Sequence, residues 1–412
     1  MSETAIIIGG GVVGLSAGLA LARDGRAVTV IEGDGQRRAA SWRNAGHIAI
    51  EQVEPLASWA AIRSAPGRLF ARGGALAFPP DQWRVWAPFA WRMMRAAHPW
   101  RFGRGKAALS TLLGEAMPAW RRLAAGLAQG DLLREDGHIV CWTTEAAARA
   151  GEVAWRAADT GTARLRDLNA EERDMLVSLL GTEPAGGLRF ENTGQISDLA
   201  RLADALEAAL AGAGGSIVRG HARLEQLGDR VGVTIDGGLA HVPDHVVVAA
   251  GVRAGALLSP LGYRVPIIAE RGYHIRSRDH GWPAGMPPLV FEDRSMIVTH
   301  YAQCVQAASF VEFGDPDAPA DPSKWARLER HIAELGLPLR APFERWMGER
   351  PTLPDYLPAI GRSARTANLI YAFGHQHLGL TLAPITGEIV AALVAGNVAP
   401  VDLAPFDLER FA

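Results

Sequence analysis

The stretch AIIIGGGVVGLSAGLALARDGRAVTVIE, Ala5 to Glu32, decides the fold class. Ala5 to Ile8 is a short unbroken apolar block, as expected of a strand buried on both faces of a parallel sheet. Leu15, Gly18, Leu19 and Ala22 recur at helical spacing, and Gly25 is placed to end that helix. Ala27 to Ile31 reads as a second buried strand that closes on Glu32. Gly9, Gly11 and Gly14 form G-x-G-x-x-G where the first strand exits. Gly9 permits the tight turn, Gly11 keeps a side chain away from a pyrophosphate, and Gly14 lets helix and sheet approach. The helix amino terminus offers unpaired N–H groups and partial positive charge to phosphates. Glu32 suits both ribose hydroxyls and would repel a 2′-phosphate. Strand, glycines, helix and acid agree on a bound dinucleotide, and leave NAD and FAD both open. The run Ala5–Ala22 carries no charge, yet the glycine triplet breaks it and no basic segment precedes it. That argues against a membrane span or a signal.

Working outward, 412 residues suggest two or three domains, and 48% hydrophobic against 21% charged residues is a globular balance. Lys plus Arg number 42 and Asp plus Glu 44, a net charge of -2 that disfavours a dedicated nucleic-acid binder. Cys141 and Cys304 allow neither a disulfide framework nor a four-cysteine zinc site, which suggests a reduced, cytoplasmic protein. No Ser-His-Asp arrangement or metal-ligand cluster stands out, so no metal is expected.

Further along, Leu199 to Ala213 is an amphipathic helix with Leu199, Leu202, Ala203, Leu206, Ala209 and Leu210 on one face. Gly214-Gly215 ends it and Ser216 to Val218 begins a strand. Another strand, His245 to Ala249, runs into Ala250-Gly251. The block D-x-V-V-V-A-A-G from Asp244 resembles the second nucleotide-side signature of flavoproteins. The expected fold class is α/β. A discontinuous Rossmann-type domain is built from residues 1–50, 196–258 and 346–412. An inserted α+β substrate domain is built from 51–195 and 259–345, which are richer in Trp, Pro and Arg.

The carboxy-terminal part adds Gly348-Glu349-Arg350-Pro351-Thr352-Leu353-Pro354-Asp355 and Pro358-Ala359-Ile360-Gly361. An apolar strand, Leu369 to Phe373, leads into Gly374-His375-Gln376-His377-Leu378-Gly379-Leu380-Thr381 and a helix over Ile385–Val394. These motifs, in this order after Ser41–His47 and Asp244–Gly251, resemble the FAD-dependent D-amino acid oxidase/dehydrogenase family, its bacterial dehydrogenase-like branch above all. The family carries G-x-R-P-x-x-P-D-x-x-P-x-I-G before G-H-x-x-x-G-x-T-x-A. The resemblance covers almost the whole chain and is less distinct in the middle domain.

The resemblance implies that Gly9, Gly11, Gly14 and Glu32 hold the ADP half of FAD. Ser41, Arg43, Asn44, Ala45 and Gly46 match a family turn that passes the pyrophosphate and reaches the flavin. Backbone near Val218 would meet the adenine. Gly251 and the run Gly374, His375, Leu378, Gly379 and Thr381 would complete the flavin site, with N–H groups at the start of the Ile385 helix near N1 and O2. In the family the arginine of G-x-R-P, here Arg350, pairs with the substrate carboxylate. A guanidinium suits that task because it offers two parallel bonds and keeps its charge. The competing reading is a structural ion pair. His47, Tyr273, His274, Tyr301 and His377 are further candidates. For the two tyrosines the plainer alternative is a buried, hydrogen-bonded core residue, and for His375 and His377 it is turn structure.

The implied reaction is dehydrogenation of a D-amino acid to an imine, with hydride passing from Cα to flavin N5 once the amine is neutral. No strong base is required. The electrons then go to oxygen, a quinone or another carrier. The wording of His375-Gln376-His377 and of Phe291–Thr299 is similar to relatives acting on D-proline-type substrates, among them cis-4-hydroxy-D-proline. Alternatives are a sarcosine- or glycine-type secondary amine oxidase, a flavin-binding subunit without catalysis, and an NAD-dependent enzyme. Finally, no acid lies between Asp81 and Glu115, where Arg84, Arg92, Arg95, Arg101, Arg104 and Lys106 interleave with Trp83, Trp86, Trp91 and Trp100. Such a stretch suits peripheral contact with the inner face of the cytoplasmic membrane. Pro88 and Pro99 favour instead a broken helix that packs its tryptophans and solvates its arginines.

Overall fold

In the computed structural model, which describes residues 2–127 and 129–412, the opening stretch folds as strand Thr4–Ile8, helix Val12–Arg23 and strand Ala27–Glu32. Thr4–Ile8 is an inner strand, and Ile7 and Val30 are fully buried, as the unbroken apolar runs require. The sheet order is Ser216–Arg219, Ala27–Glu32, Thr4–Ile8, His245–Val248, Leu369–Phe373 and Ala359–Arg362. The first five strands are parallel and the last is antiparallel.

Helix Gly379–Ala395 packs on helix Val12–Arg23 at Gly387, where a Cβ would lie 2.7 Å from the Ser16 carbonyl oxygen. Only glycine permits that approach. The helix begins at Gly379, six residues before the sequence suggested, because Pro384 lies inside it. Proline has no N–H for the carbonyl four residues back, that of Leu380. The buried indole of Trp120 supplies a donor instead, 3.1 Å from the carbonyl oxygens of both Leu380 and Thr381.

A second, nine-stranded sheet runs Glu344–Thr352, Ile268–Ser277, Cys304–Gly314, Met296–Tyr301, Leu289–Phe291, His138–Trp142, Gly186–Glu191 and Arg164–Asp167, with Leu76–Ala77 beside Cys304–Gly314. Strand Glu344–Thr352 pairs with Ile268–Ser277, so Arg350 stands on this sheet rather than on the first, where the expected boundary at 346 placed it. At the opposite edge of that pair, Arg271 faces Glu312 and Tyr273 faces Ser309. Gly272 therefore lies against a bulge at Phe310 and Val311.

Residues 83–106 form two helices, Trp83–Ala96 and Pro99–Gly114. Pro88 sits within the first without ending it, and Pro99 opens the second, where its missing N–H costs nothing. Trp86 is half-buried, but Trp83, Trp91 and Trp100 are 55%, 61% and 63% exposed. The expected packing of the tryptophans holds for one of the four. Helix Gly379–Ala395, though apolar along its length, lies mostly inside the fold.

Candidate active site

A cavity of about 1850 Å³ crosses the carboxyl ends of the parallel strands and continues between the two sheets. Ligands of open α/β sheets bind at such strand ends. Its wall passes from Glu32 over Gly9 and Gly11 to Ser41, Arg43, Asn44, Ala45 and His47, then past Gly251 to Gly374–His377, Gly379 and Leu380. Beyond lie Phe310, Trp346, Met347 and Arg350.

The glycines test whether a dinucleotide fits. A Cβ on Gly14 would lie 1.9 Å from the Gly9 carbonyl oxygen, so the fold itself demands that glycine. Gly9 has φ +113, and its Cβ would meet the Ala249 carbonyl oxygen at 2.5 Å. Gly11 is different. Its Cβ would project into the cavity wall with only Ser41 Oγ, at 3.2 Å, nearby. The protein does not need glycine there, whereas a pyrophosphate lying on the backbone does. The chain thus fits FAD. Glu32 accepts from the N–H groups of Gly10 at 2.5 Å and Asp34 at 2.6 Å, which fixes its carboxylate on the cavity wall, where it would hold a ribose. Val218 pairs with Ile31 in the edge strand and does not line the cavity; the wall there is Gly220–Leu224, two residues further on.

The turn after Ser41 is held from behind. Ser41 Oγ accepts from Val12 N–H at 3.1 Å, and Asn44 Oδ1 accepts from Gly46 N–H. The Asn44 carbonyl accepts from the Tyr301 hydroxyl at 2.7 Å and from Gln306 Nε2 at 2.9 Å, and the Ala45 carbonyl from Thr299 Oγ1 at 2.8 Å. Arg43 pairs with Glu344. Tyr301 therefore props the turn and does not line the cavity, which corrects its assignment as a reacting group. Burial pushes its phenol up, so it stays protonated. Tyr273 does touch the cavity wall, but its hydroxyl is committed elsewhere, which corrects its assignment too. Its hydroxyl donates to Glu312 at 2.8 Å and accepts from Arg271 and from the Asp321 N–H, inside a buried cluster with Lys324. Burial pushes this phenol up to about 12.

On the last motif, His375, His377, Gly379 and Leu380 line the cavity, but Leu378 is buried in the core. Thr381 is also off the cavity: its hydroxyl accepts from Ala49 N–H at 3.0 Å and ties the segment after His47 to the helix. Burial pushes His375 down to about 3 and His377 to about 4, so both are neutral. His375 Nε2 meets Thr386 Oγ1 at 3.0 Å, and His377 Nε2 donates to Gln52 Oε1. His47, on the cavity wall, donates to Glu51 Oε1 at 3.1 Å. Burial opposes the charge on Glu51, but the two imidazoles beside it hold its pKa down to about 2. His47, Glu51 and His138 have ligand atoms within 4.8 Å of one another, a grouping that the sequence, with His138 some ninety residues from the other two, did not reveal. His138 Nδ1 is engaged with Thr193 Oγ1 at 2.9 Å, while His47 Nδ1 and Glu51 Oε2 are buried without a hydrogen-bond partner among the described residues. His274 is buried and stacked on Trp346, and burial holds it neutral.

Arg350 faces the cavity with its side chain 26% exposed. One nitrogen, Nη1, donates to Glu270 Oε1 at 3.0 Å and to the Phe310 carbonyl at 3.1 Å. Glu270 also accepts from the hydroxyls of Thr352 and Tyr356, both at 3.2 Å. Phe310 has φ +73, a conformation that bulky side chains rarely adopt, and the bulge it creates aims its carbonyl at the guanidinium. Nη2 lies across Gly272, where a Cβ would be 2.4 Å away. Phe310 was not singled out from sequence, and Glu270 and Gly272 entered only as part of the stretch Glu270–His274, which resembles a substrate-contacting strand of the family. A lone glycine inside a strand pattern was the available signal. Thr352 pairs with His375 through an isolated bridge, which joins the arginine strand to the loop of the last motif.

A family model described as "FAD dependent oxidoreductase" (DAO) matches residues 4–393. The D-amino-acid oxidase of Bradyrhizobium diazoefficiens is 29% identical over 427 residues, covering 98% of both chains. The D-amino acid dehydrogenase of Paramagnetospirillum magneticum is 29% identical over 429 residues, again covering 98% of both. Among solved structures, glycine oxidase from Geobacillus kaustophilus superposes with a TM-score of 0.74 at 22% identity, covering 99% of each chain. L-proline dehydrogenase from P. horikoshii gives 0.73 at 16% identity, covering 100% of this chain and 98% of that one. At these identities the structures speak for the fold.

Proposed function

The chain belongs to the FAD-dependent oxidoreductase family, and on that premise we propose that it dehydrogenates D-amino acids of D-proline type, cis-4-hydroxy-D-proline foremost, to the imine. The carrying observation is Arg350, fixed on the cavity wall by Glu270 and Phe310 and joined to the loop Gly374–Leu380 through Thr352 and His375. The names of the relatives at 29% identity support a D-amino acid.

When bound, FAD supplies the two-electron acceptor for the hydride that leaves Cα. The remaining work falls to the chain. Arg350 holds the substrate carboxylate by the part of its guanidinium that Glu270 leaves free, and so fixes which hydrogen faces the cofactor. Glu270 is itself fully engaged and buried, so it orients Arg350 and does not compete for the substrate amine. Ile297, Phe310, Trp346 and Met347 give the ring an apolar wall, and His47, Gln52 and Ser309 offer polar atoms to a ring hydroxyl. The substrate nitrogen loses its proton before or as the hydride leaves. The hydroxyls of Tyr273 and Tyr301 donate to Glu312 and to the Asn44 carbonyl, so neither is placed as a base, and the scheme needs no strong one.

Anaerobic mixing of the yellow holoprotein with D- and L-proline, cis-4-hydroxy-D-proline, D-alanine and sarcosine tests this reading. Bleaching of the visible flavin band should be fastest with the D ring acids. Bleaching by L-amino acids or sarcosine ahead of them would overturn it. The same solutions opened to air, with and without a soluble quinone, identify the electron acceptor.

A further inference from the structure

A second cleft, of about 460 Å³, lies between helices Trp83–Ala96 and Pro99–Gly114 and the chain's last residues. Arg92, Arg95, Arg101 and Arg104 line it, and among the described residues none of the four makes an ion pair. Arg410 also lines it but is committed to Asp355 at 2.7 Å. The negative groups on the wall are that paired Asp355 and the carboxyl group of Ala412. Four uncommitted guanidiniums therefore face a small, partly aromatic space that also includes Trp100 and Phe102.

Around the cleft the surface is aromatic. Trp83, Trp91 and Trp100 are each more than half exposed, and Met94 and Val85 are exposed on the same helix as the first two. At about 100° per residue Trp91 lies about 40° from Arg95 and so beside the cleft, whereas Trp83 and Met94 fall on the side of the helix away from Arg92, Met94 against the main cavity. Arg84 and Arg104 stack over the rings of Trp83 and Trp100, at 5.5 and 4.8 Å. Large apolar groups exposed singly are ordinary, but tryptophans grouped with unpaired arginines match the membrane interface. There an indole sits at headgroup depth and a guanidinium pairs with phosphate.

We propose that the cleft binds the phosphate group of an anionic phospholipid, with Trp91 and Trp100 entering the interface beside it. The shared chemistry is a phosphate monoanion. The exposed tryptophans beside the cleft select the lipid over free phosphate, because a dissolved anion gains nothing from them. Helix Trp83–Ala96 also walls the main cavity with Phe89, Ala90, Met93 and Met94. Docking thus brings that wall to the lipid surface. The proposal is independent of the substrate assignment and would survive its failure.

The test uses purified holoprotein and vesicles of phosphatidylcholine, with and without phosphatidylglycerol, in co-sedimentation. Binding should require phosphatidylglycerol and fall with salt. At about 1 kcal/mol for each basic residue near an anionic surface, Arg101→Ala with Arg104→Ala should weaken it roughly 30-fold. A second variant, Trp91→Ser with Trp100→Ser, should weaken it without changing the salt slope. Arg149→Ala, on another surface helix, is the control and should bind as the parent does. Flavin colour and turnover with a soluble dye should be unchanged throughout. Absence of vesicle binding at low salt overturns the proposal, as does binding that survives loss of both arginines. Saturable binding of inorganic phosphate by the parent, lost in the arginine variant and without vesicle binding, would overturn the assignment to lipid.

Discussion

Gly272→Ala separates the position of Arg350 from its chemistry. A Cβ at this site would stand 2.4 Å from Nη2 and 2.7 Å from Cζ of Arg350. Ordinary contact needs about 3.5 Å, so the guanidinium must retreat by about 1 Å. It has little freedom to do so, because Nη1 is held by Glu270 at 3.0 Å and by the Phe310 carbonyl at 3.1 Å. A displacement of about 1 Å of a positioning group costs about 100-fold in rate, or about 2.7 kcal/mol of transition-state stabilisation. Alanine is otherwise welcome in a strand and should raise stability by about 0.5–1 kcal/mol through the backbone. The expected outcome is a protein that keeps its flavin and melts no lower than the parent, with kcat/KM for the D-amino acid down about 100-fold. Because the carboxylate is held before and during the reaction, much of the loss should sit in KM. Steady-state kinetics with a soluble dye, flavin content and thermal melting together check this. A kcat/KM within about twofold of the parent, at full flavin content, would refute the reasoning about Arg350.

Three further outcomes follow from the same geometry. Arg350→Ala strands a buried carboxylate, so it should lose activity and also about 3–5 kcal/mol of stability. Arg350→Met with Glu270→Gln should recover the melting temperature and not the turnover, and melting curves of both variants decide the point. His377 and His375 have folded pKa values of about 4 and about 3, below the ordinary 6.5. The folded state thus binds their protons less readily than the unfolded chain. The stability they confer is complete above pH 6.5 and is lost as pH falls towards 4 and 3, on the order of 3 kcal/mol for His377. His377→Gln should flatten the dependence of Tm on pH across that interval. Gly14→Ala should prevent folding of the nucleotide half, whereas Gly11→Ala should fold and lose FAD affinity, which flavin titration of the apoprotein measures.

The parts of the fold that were legible in sequence are those where local pattern and burial coincide. Ala5–Glu32 reads as strand, helix and strand because each element is apolar in its own period and glycines mark the joints. Gly374–Leu380 was recognisable because the strand before it, Leu369–Phe373, is continuous and buried. What escaped depended on partners distant in sequence. The early start of helix Gly379–Ala395 relies on Trp120 to serve the carbonyl that Pro384 leaves unpaired. Tyr273 and Tyr301 sit on strands that border the site, but alternation sends one side chain into the Arg271–Glu312–Lys324 cluster and the other behind the Asn44 turn. Strand membership cannot reveal which face a tyrosine takes until register is known. Val218 missed the cavity wall by two residues for a similar reason: the strand continues to Arg219 before the chain turns in.

Thr352 closes a seam. One stretch of backbone, Glu344–Thr352, belongs to the nine-stranded sheet, and within a few residues the chain has returned to the parallel sheet that carries the glycine motif. The proposed carboxylate anchor, Arg350, thus shares its strand with Trp346 and Met347, and Ile297 lies on the same sheet. Descendants of such a scaffold can trade one side chain on the amino acid for another by altering those three positions, with no retuning of the electron-transfer half.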